Sequence, residues 1–283
     1  MSVKRTFKWV GLLVLIGLIG LIIYVYPFVK GTFFTYTPVP YDANLTIVYG
    51  GGGNSGILTS DSAVLVIDTK MAHTQELYDL AKQKAGDKPI IVINTHMHPD
   101  HTAGNKLYKG CTIIAGAYDK ALWTKQNGTE NLPTVWLVDS LNIHMGNETV
   151  TILNVGAGHT SNDLIVYLHN RKMLFTGDLV FANMHPVMDV KTGCNPEHWL
   201  SILHMLHDNY AINTVIPGHG EMGNEDILKN FTHYMEDMKA AAADESKVAD
   251  TKAKYDNYMS LPFISSFHKD LNFWKKHANG KAD

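Results

Sequence analysis

Cysteine is nearly missing from this chain of 283 residues. Cys111 and Cys194 are the only two, far apart and outside any C-x-x-C pair, which excludes a zinc knuckle and a dithiol redox centre and leaves room for at most one disulfide. A charge excess is missing as well. With 24 basic against 27 acidic side chains the formal charge is -3, so no broad basic surface advertises nucleic acid, and no nucleic-acid partner is expected. No G-x-S-x-G segment is present to seat a serine nucleophile. The hydrophobic share of 45% suits one large α/β domain with a substantial core plus appendages.

Charge is absent altogether from Trp9 to Val29. At helical rise that run covers about 30 Å, the thickness of a bilayer core. Lys4, Arg5 and Lys8 precede it and only Lys30 follows closely, which by the positive-inside rule leaves the N-terminus in the cytoplasm and the rest of the chain outside. Trp9, Tyr24 and Tyr26 suit interfacial anchoring. No A-x-A-like site follows the run, so the expectation is an uncleaved single-pass anchor in the cell membrane rather than a signal peptide. The expected organisation is a cytoplasmic stub and transmembrane anchor over 1–30, a linker over 31–43 containing Pro38 and Pro40, a catalytic domain over 44–248, and a C-terminal tail over 249–283. That tail is polar apart from L-P-F-I-S-S-F and is expected to pack loosely.

Within the domain, apolar runs at 45–49, 56–60 and 63–67 between Gly-rich or polar turns predict an antiparallel meander. A helix over about 72–84 then leads into a buried strand, I-I-V-I-N at 90–94. Short helices are expected at 103–108 and 118–126, with a strand at 111–115 between them. Further strands are expected at 135–138, 149–155, 163–168, 172–176 and 214–217, with helices over 196–208 and 225–246. Two strand-rich halves, each trailed by helices, argue for two sheets packed face to face with helices outside.

What is plentiful is histidine. There are 15, and five fall in short motifs that also carry carboxylates. T-H-M-H-P-D-H, Thr95 to His101, follows the 90–94 strand directly. In extended backbone residues two apart point the same way, so His96 and His98 can reach one metal together. Pro99 turns the chain, and Asp100 and His101, offset at the turn, can reach a second. Imidazole and carboxylate are the ligands of catalytic zinc, which keeps a position open for water. His159 in G-A-G-H-T-S-N-D, Asp178 in L-F-T-G-D-L-V and His219 in I-P-G-H-G-E each lie in a short or Gly-rich segment near a strand end. Taken singly, each reads as readily as a turn or a helix cap.

The ordered set T-H-M-H-P-D-H, G-H-T, G-D and P-G-H-G, with N-S-G-I-L and V-I-D-T upstream, resembles the metallo-β-lactamase superfamily over about residues 45–220. The resemblance implies an α+β fold, a four-layer αββα sandwich with the metals at one sheet edge. It implies that His96, His98 and His159 bind a first metal, that Asp100, His101 and His219 bind a second, and that Asp178 bridges both. Asp68 resembles the family's buried supporting carboxylate, or is a plain strand-end Asp. Dedicated lactamases of the fold usually carry Cys or Ser where this chain has Asp178, whereas glyoxalase II-type thioesterases, lactonases and several phosphoesterases carry Asp. Cys194 stands sixteen residues later in V-K-T-G-C-N-P and does not match the lactamase ligand. The flanking S-N-D-L-I-V-Y-L and M-L-F-T-G-D-L-V-F resemble the exported, quinoprotein-relay-type hydrolases of the superfamily.

The expected activity is hydrolysis of a small carbonyl substrate, such as a lactone, thioester, ester or lactam. Two Zn²⁺ ions, or iron or manganese in their place, would lower the pKa of a shared water that Asp100 orients. The alternatives are phosphodiester cleavage, an iron redox or oxygen-handling protein, and a tethered metal-binding module without catalysis. Asn183 and His185 follow Asp178 closely and are candidate substrate-binding groups. Gly50 to Gly53 with Asn54 form either a mobile flap or a plain hairpin turn. His198, His204 and His207 share one expected helix with Trp199 and read as surface or packing residues.

Overall fold

The computed structural model describes residues 3–278. Met1 and Ser2 of the expected stub and residues 279–283 of the expected tail lie outside the described residues. Helix α1 (Val3–Val29) contains Pro27 and continues into a π-helical turn, Lys30–Phe34. Leu12–Phe34, which runs from α1 through that turn, is long and apolar enough to cross a membrane, and its most apolar stretch is not buried against the rest of the chain, although Thr32 near its end is.

The domain begins earlier than the expected boundary at Asn44. Residues Tyr36–Pro40 of the expected linker form strand β1, paired antiparallel to β2 (Leu45–Gly50). Two prolines in one strand are tolerated because β1 is the edge of its sheet. Strands β3 (Ser55–Thr59) and β4 (Val64–Ile67) complete the expected meander. Helix α2 (Thr74–Ala85) then crosses to β5 (Ile90–Ile93), which lies parallel to β4. A single turn, α3 (Pro99–Thr102), precedes β6 (Thr112–Gly116), α4 (Lys120–Asn127) and β7 (Val135–Leu137). These seven strands form one sheet in sequence order.

The second sheet runs β12-β11-β10-β9-β8. Strand β8 (Ser140–Met145) pairs with β9 (Glu148–Gly156) across a two-residue Gly146-Asn147 turn, with Gly146 at φ +65° as such hairpins require. Strands β10 (Asp163–Leu168) and β11 (Met173–Phe181) follow. Helix α5 (Pro196–Asn209) leads to β12 (Thr214–His219), parallel to β11. Helices α6 (Asp226–Ala243), α7 (Val248–Lys254) and α8 (Phe267–Ala278) close the chain.

Strand alternation builds the layers. Leu65 and Ile67 of β4 face the second sheet, meeting Leu164 and Val166 of β10, whereas Val64 and Val66 face α2. Ile165 and Tyr167 of β10 turn the other way, onto α5, α6 and α8. Both faces of the central strands are thus covered, which is why these strands read as unbroken apolar runs. The result is the four-layer αββα sandwich.

The C-terminal tail is not loose. Trp274, Leu271 and Phe267 of α8 are buried in the outer core with Tyr234 and Met238 of α6. Buried apolar side chains at helical spacing give α8 one apolar face in an otherwise charged segment. Cys111 and Cys194 are both free, so the one conceivable disulfide is not formed.

Candidate metal centre

The chain leaves β5 at Ile93 and presents His96, His98, Asp100 and His101 within six residues, with α3 supplying the turn. Asn94 and Asn105 lock that turn through mutual side-chain hydrogen bonds. The other donors come from the second sheet. His159 lies in the β9–β10 connection, Asp178 lies within β11 where its pairing with β12 is irregular, and His219 is the last residue of β12.

These seven side chains converge as two sets. His96, His98, His159 and Asp178 bring their donor atoms within 4.8 Å of one another, and so do Asp100, His101 and His219. His98 Nδ1 lies 3.2 Å from His96 Nε2 and 2.9 Å from His159 Nε2. Asp178 faces both sets. Its Oδ2 lies 3.7 Å from His96 Nε2 and 3.4 Å from His159 Nε2, and its Oδ1 lies 3.1 Å from His101 Nε2 and 3.5 Å from His219 Nε2. Asp100 Oδ2 completes the second set at 3.1 Å from His219 Nε2 and 3.6 Å from His101 Nε2. Tetrahedral ligands about 2.0–2.1 Å from a zinc ion stand about 3.3–3.4 Å apart, so these spacings fit one cation in each set. His101 Nε2 and Asp178 Oδ1 are buried and lack a hydrogen-bond partner, a cost that coordination would remove.

The electrostatics divide the two sets. Burial holds His96 and His98 below the ordinary histidine range and takes His159 to about 3, so all three favour the neutral, ligating form. Burial also opposes charge on His101 and His219, but carboxylates outweigh it. Asp178, Asp68 and Asp100 push His101 well up, and Asp178 and Asp100 take His219 to about 9. Asp178 and Asp100 are themselves held below the usual carboxylate range by the surrounding imidazoles, against the effect of burial. Two ionised carboxylates, Asp178 and Asp100, converging on one point favour a cation there.

Several supporting residues give this geometry its rigidity. Asp68 accepts hydrogen bonds from Thr95 N and Oγ1 and lies 2.7 Å from His101 Nδ1, which directs His101 Nε2 at the centre. Asp163 accepts from the Gly158 and Thr160 amides and from the Thr160 hydroxyl, shaping the loop that carries His159. Trp199 packs edge-on to His159 at 5.4 Å, and Phe181 stacks on His219 at 5.5 Å. Lys70, fully buried, donates to the carbonyls of Val48, Gly50 and Gly53. It fixes the glycine run as a pinned hairpin, and Asn54 ties it to the Pro217 and Gly220 carbonyls. At two positions glycine is obligatory. A Cβ on Gly53 would stand 2.2 Å from the His101 ring, and one on Gly218 would stand 1.9 Å from Asp178 Oδ1.

Asn183 and His185 are not brought to the metal donors. Asn183 is exposed, with a left-handed backbone, and its carbonyl accepts from Met259 N. His185 is buried among aromatic rings, its Nδ1 2.9 Å from the Tyr234 hydroxyl, which in turn donates to Asp270 at 2.5 Å. Its apolar surroundings take it down to about 4. Proximity in sequence to Asp178 misleads here because the chain leaves the site as soon as β11 ends. Lys70 and Asp163 are supports that sequence reasoning misses; a lysine flanking V-I-D-T is the one available signal for the first. His198, His204 and His207 bond the Ala157 carbonyl, Glu236 and Glu225, and none reaches the centre.

A cavity of about 480 Å³ opens over His98, Asp100, Asp178 and His219. Its remaining wall is chiefly apolar, and no Lys or Arg is among its lining residues.

Residues 48–219 match the family model described as the metallo-beta-lactamase superfamily. The chain is 31% identical over 179 residues to metallo-beta-lactamase type 2 of Bacillus cereus, covering 62% of this chain and 70% of that protein. It is 33% identical over 96 residues to hydroxyacylglutathione hydrolase of Methylococcus capsulatus, covering 32% of this chain and 34% of that protein. The solved metallo-beta-lactamase from Pontibacter korlensis superposes with a TM-score of 0.60 at 21% identity, over 71% of this chain and 99% of that one, a likeness of fold.

Proposed function

The chain belongs to the metallo-beta-lactamase superfamily, and on that premise we propose that it is a dinuclear zinc hydrolase of a small carbonyl substrate such as a lactone, thioester, ester or lactam. The observation that carries this reading is Asp178, with one carboxylate oxygen toward each donor set. His96, His98 and His159 would hold one ion, Asp100, His101 and His219 the other, with Asp178 shared. Two bound divalent ions supply Lewis acidity, lowering the pKa of water toward neutrality and polarising a substrate carbonyl.

The protein's own part is positioning and proton handling. Asp100 is the more open of the two acidic donors and lines the cavity floor. Held ionised, with Oδ2 turned to His219 and His101, it would offer its other carboxylate oxygen to a hydrogen bond from the attacking water and so fix the direction of the water's lone pair. Asn54 engages two carbonyls with its amide nitrogen and so shapes the wall rather than serving as an oxyanion donor. The cavity lining carries no Lys or Arg to add to the ions' hold on a phosphodiester, which favours an uncharged carbonyl substrate. The catalytic domain is read as anchored by α1 and facing away from the cytoplasm.

The test is a panel of chromogenic lactam, lactone, thioester, ester and phosphodiester substrates on the zinc-loaded full chain, with metal content measured in parallel. We expect about two zinc ions per chain, turnover of at least one carbonyl class, and a loss of about 100-fold or more in Asp100→Asn. Turnover of the phosphodiester alone, or one bound iron with oxygen consumption, would overturn the assignment.

A further inference from the structure

The cavity over the metal donors is walled on one side by the membrane-spanning segment itself. Pro27, Phe28, Gly31 and Thr32 line it, and all four lie within Leu12–Phe34. The segment is fastened there. Gly51 N donates to Gly31 O at 3.2 Å, and His73 Nε2 lies 3.0 Å from Phe33 O. At 1.5 Å per residue, a run from Leu12 uses up a bilayer core of about 30 Å within some twenty residues. Counted from Leu12, Pro27 stands about 22 Å and Thr32 about 30 Å along that rise, so this cavity wall occupies the last turns of the span, where hydrocarbon gives way to headgroups.

A second stretch of the cavity lining is apolar too. Met259, Leu261 and Ile264 line the cavity from the segment between α7 and α8. Phe263, at the tip, is 69% exposed and has φ +62°, a left-handed conformation that a bulky aromatic rarely adopts. Lys269 Nζ fixes it there by donating to the Phe263 and Ile264 carbonyls, and its ring meets Tyr24 of α1 edge-on at 5.8 Å. An exposed phenylalanine held in a strained backbone is placed rather than left over. Its contact is with the spanning helix, so the rim is continuous with the surface that meets lipid.

We propose that the substrate is a membrane-resident amphiphile, bound with its carbonyl over the metal donors and its hydrocarbon tail passing between α1 and the 259–264 segment toward the bilayer. This rests on the hydrolase reading above. In the reaction water's oxygen bonds to the carbonyl carbon, the bond from that carbon to its heteroatom breaks, and the heteroatom leaves with the electron pair and takes up a proton from the water. A floor of metal donors and a chiefly apolar wall without Lys or Arg suit a single-tailed molecule with a small uncharged head.

The test uses the zinc-loaded full chain in lipid nanodiscs, with empty discs as background. Ester and thioester series run from acetyl to decanoyl on the acyl side and from methyl to decyl on the other side. We expect kcat/KM to rise about three- to fourfold per methylene in one series until the tail reaches the bilayer, the ratio that burying a CH₂ group supplies. Ile264→Asp, at an exposed rim position that does not threaten folding, should flatten the series, and Ile264→Leu should restore it. A dansylated undecanoic acid reads the tail site without turnover. Its binding should exceed the disc background for the parent chain and fall to background in Ile264→Asp. Turnover with a flat series and no acid binding overturns the inference and leaves the hydrolase reading intact. Acid binding lost in Ile264→Asp without any turnover supports the tail site and sinks the hydrolase reading.

Discussion

Asp68 never faces the cavity, yet His101 depends on it. The carboxylate takes the Nδ1 side of the ring and leaves Nε2 directed at Asp178 and Asp100. Asp68→Asn keeps the volume and one oxygen acceptor for Thr95, but it replaces the other acceptor with an NH₂ donor and can no longer attract the imidazole as an anion. Zinc affinity should fall about 10- to 100-fold, read by competition with a chromogenic chelator, while far-UV dichroism stays unchanged. Equal affinity in the variant would reduce Asp68 to a loop brace. At this scale the sequence is generous with donors and poor in supports. His96, His98, Asp100 and His101 sit in one heptapeptide whose spacing is itself the geometry. Lys70 shows the reverse case: its three acceptors belong to Val48, Gly50 and Gly53. A lysine in a chain is read as solvated until the carbonyls that surround it are known.

Among the elements, α8 departs most from the sequence reading, and Asp270 is the residue to test there. It is buried against Tyr234, and burial raises its carboxyl well above the ordinary range, more than the Tyr234 hydroxyl and Lys269 lower it. Below the ordinary carboxyl range both folded and unfolded chains carry the proton, so the group leaves stability unchanged. As the pH climbs, the unfolded chain ionises while the folded one stays protonated, and stability falls up to the folded-state value. Asp270→Asn, which still accepts from Tyr234, removes this slope. Denaturant unfolding should show little difference from the parent at acid pH and a growing advantage for the variant toward neutrality. A difference that shrinks as pH rises would refute the buried-acid account. The apolar positions of α8 are legible in the sequence only once α6 is known to offer a facing groove. Strand β8 was missed for a related reason. S-L-N-I-H-M is largely exposed, and of its alternating apolar positions only Ile143 and Met145 pack inward, so the strand reads weakly beside the clear Gly146-Asn147 turn. The central strands, covered on both sides, announce themselves by composition.

The whole molecule is a sandwich joined at one edge by donors from both sheets. Removing the ions should therefore be felt globally. With a chelator the melting temperature should drop and hydrolysis cease. Restoring zinc should recover both, with stability growing by about 1.4 kcal/mol per site for each tenfold rise in free zinc above the dissociation constant. A melting temperature indifferent to free zinc in calorimetry would contradict a site built from these side chains. The fold class was readable because two halves of alternating strands and helices admit few packings. The junction between α1 and the cavity was not readable, since it depends on where the spanning segment ends in space. One consequence of the divided donor set concerns supply. His96, His98, Asp100 and His101 follow the first sheet, and His159, Asp178 and His219 belong to the second. Neither sheet alone offers a complete site, so a nascent chain gathers its ions only after the halves have closed. The compartment in which folding finishes, through the metals dissolved in it, then selects which element the enzyme carries.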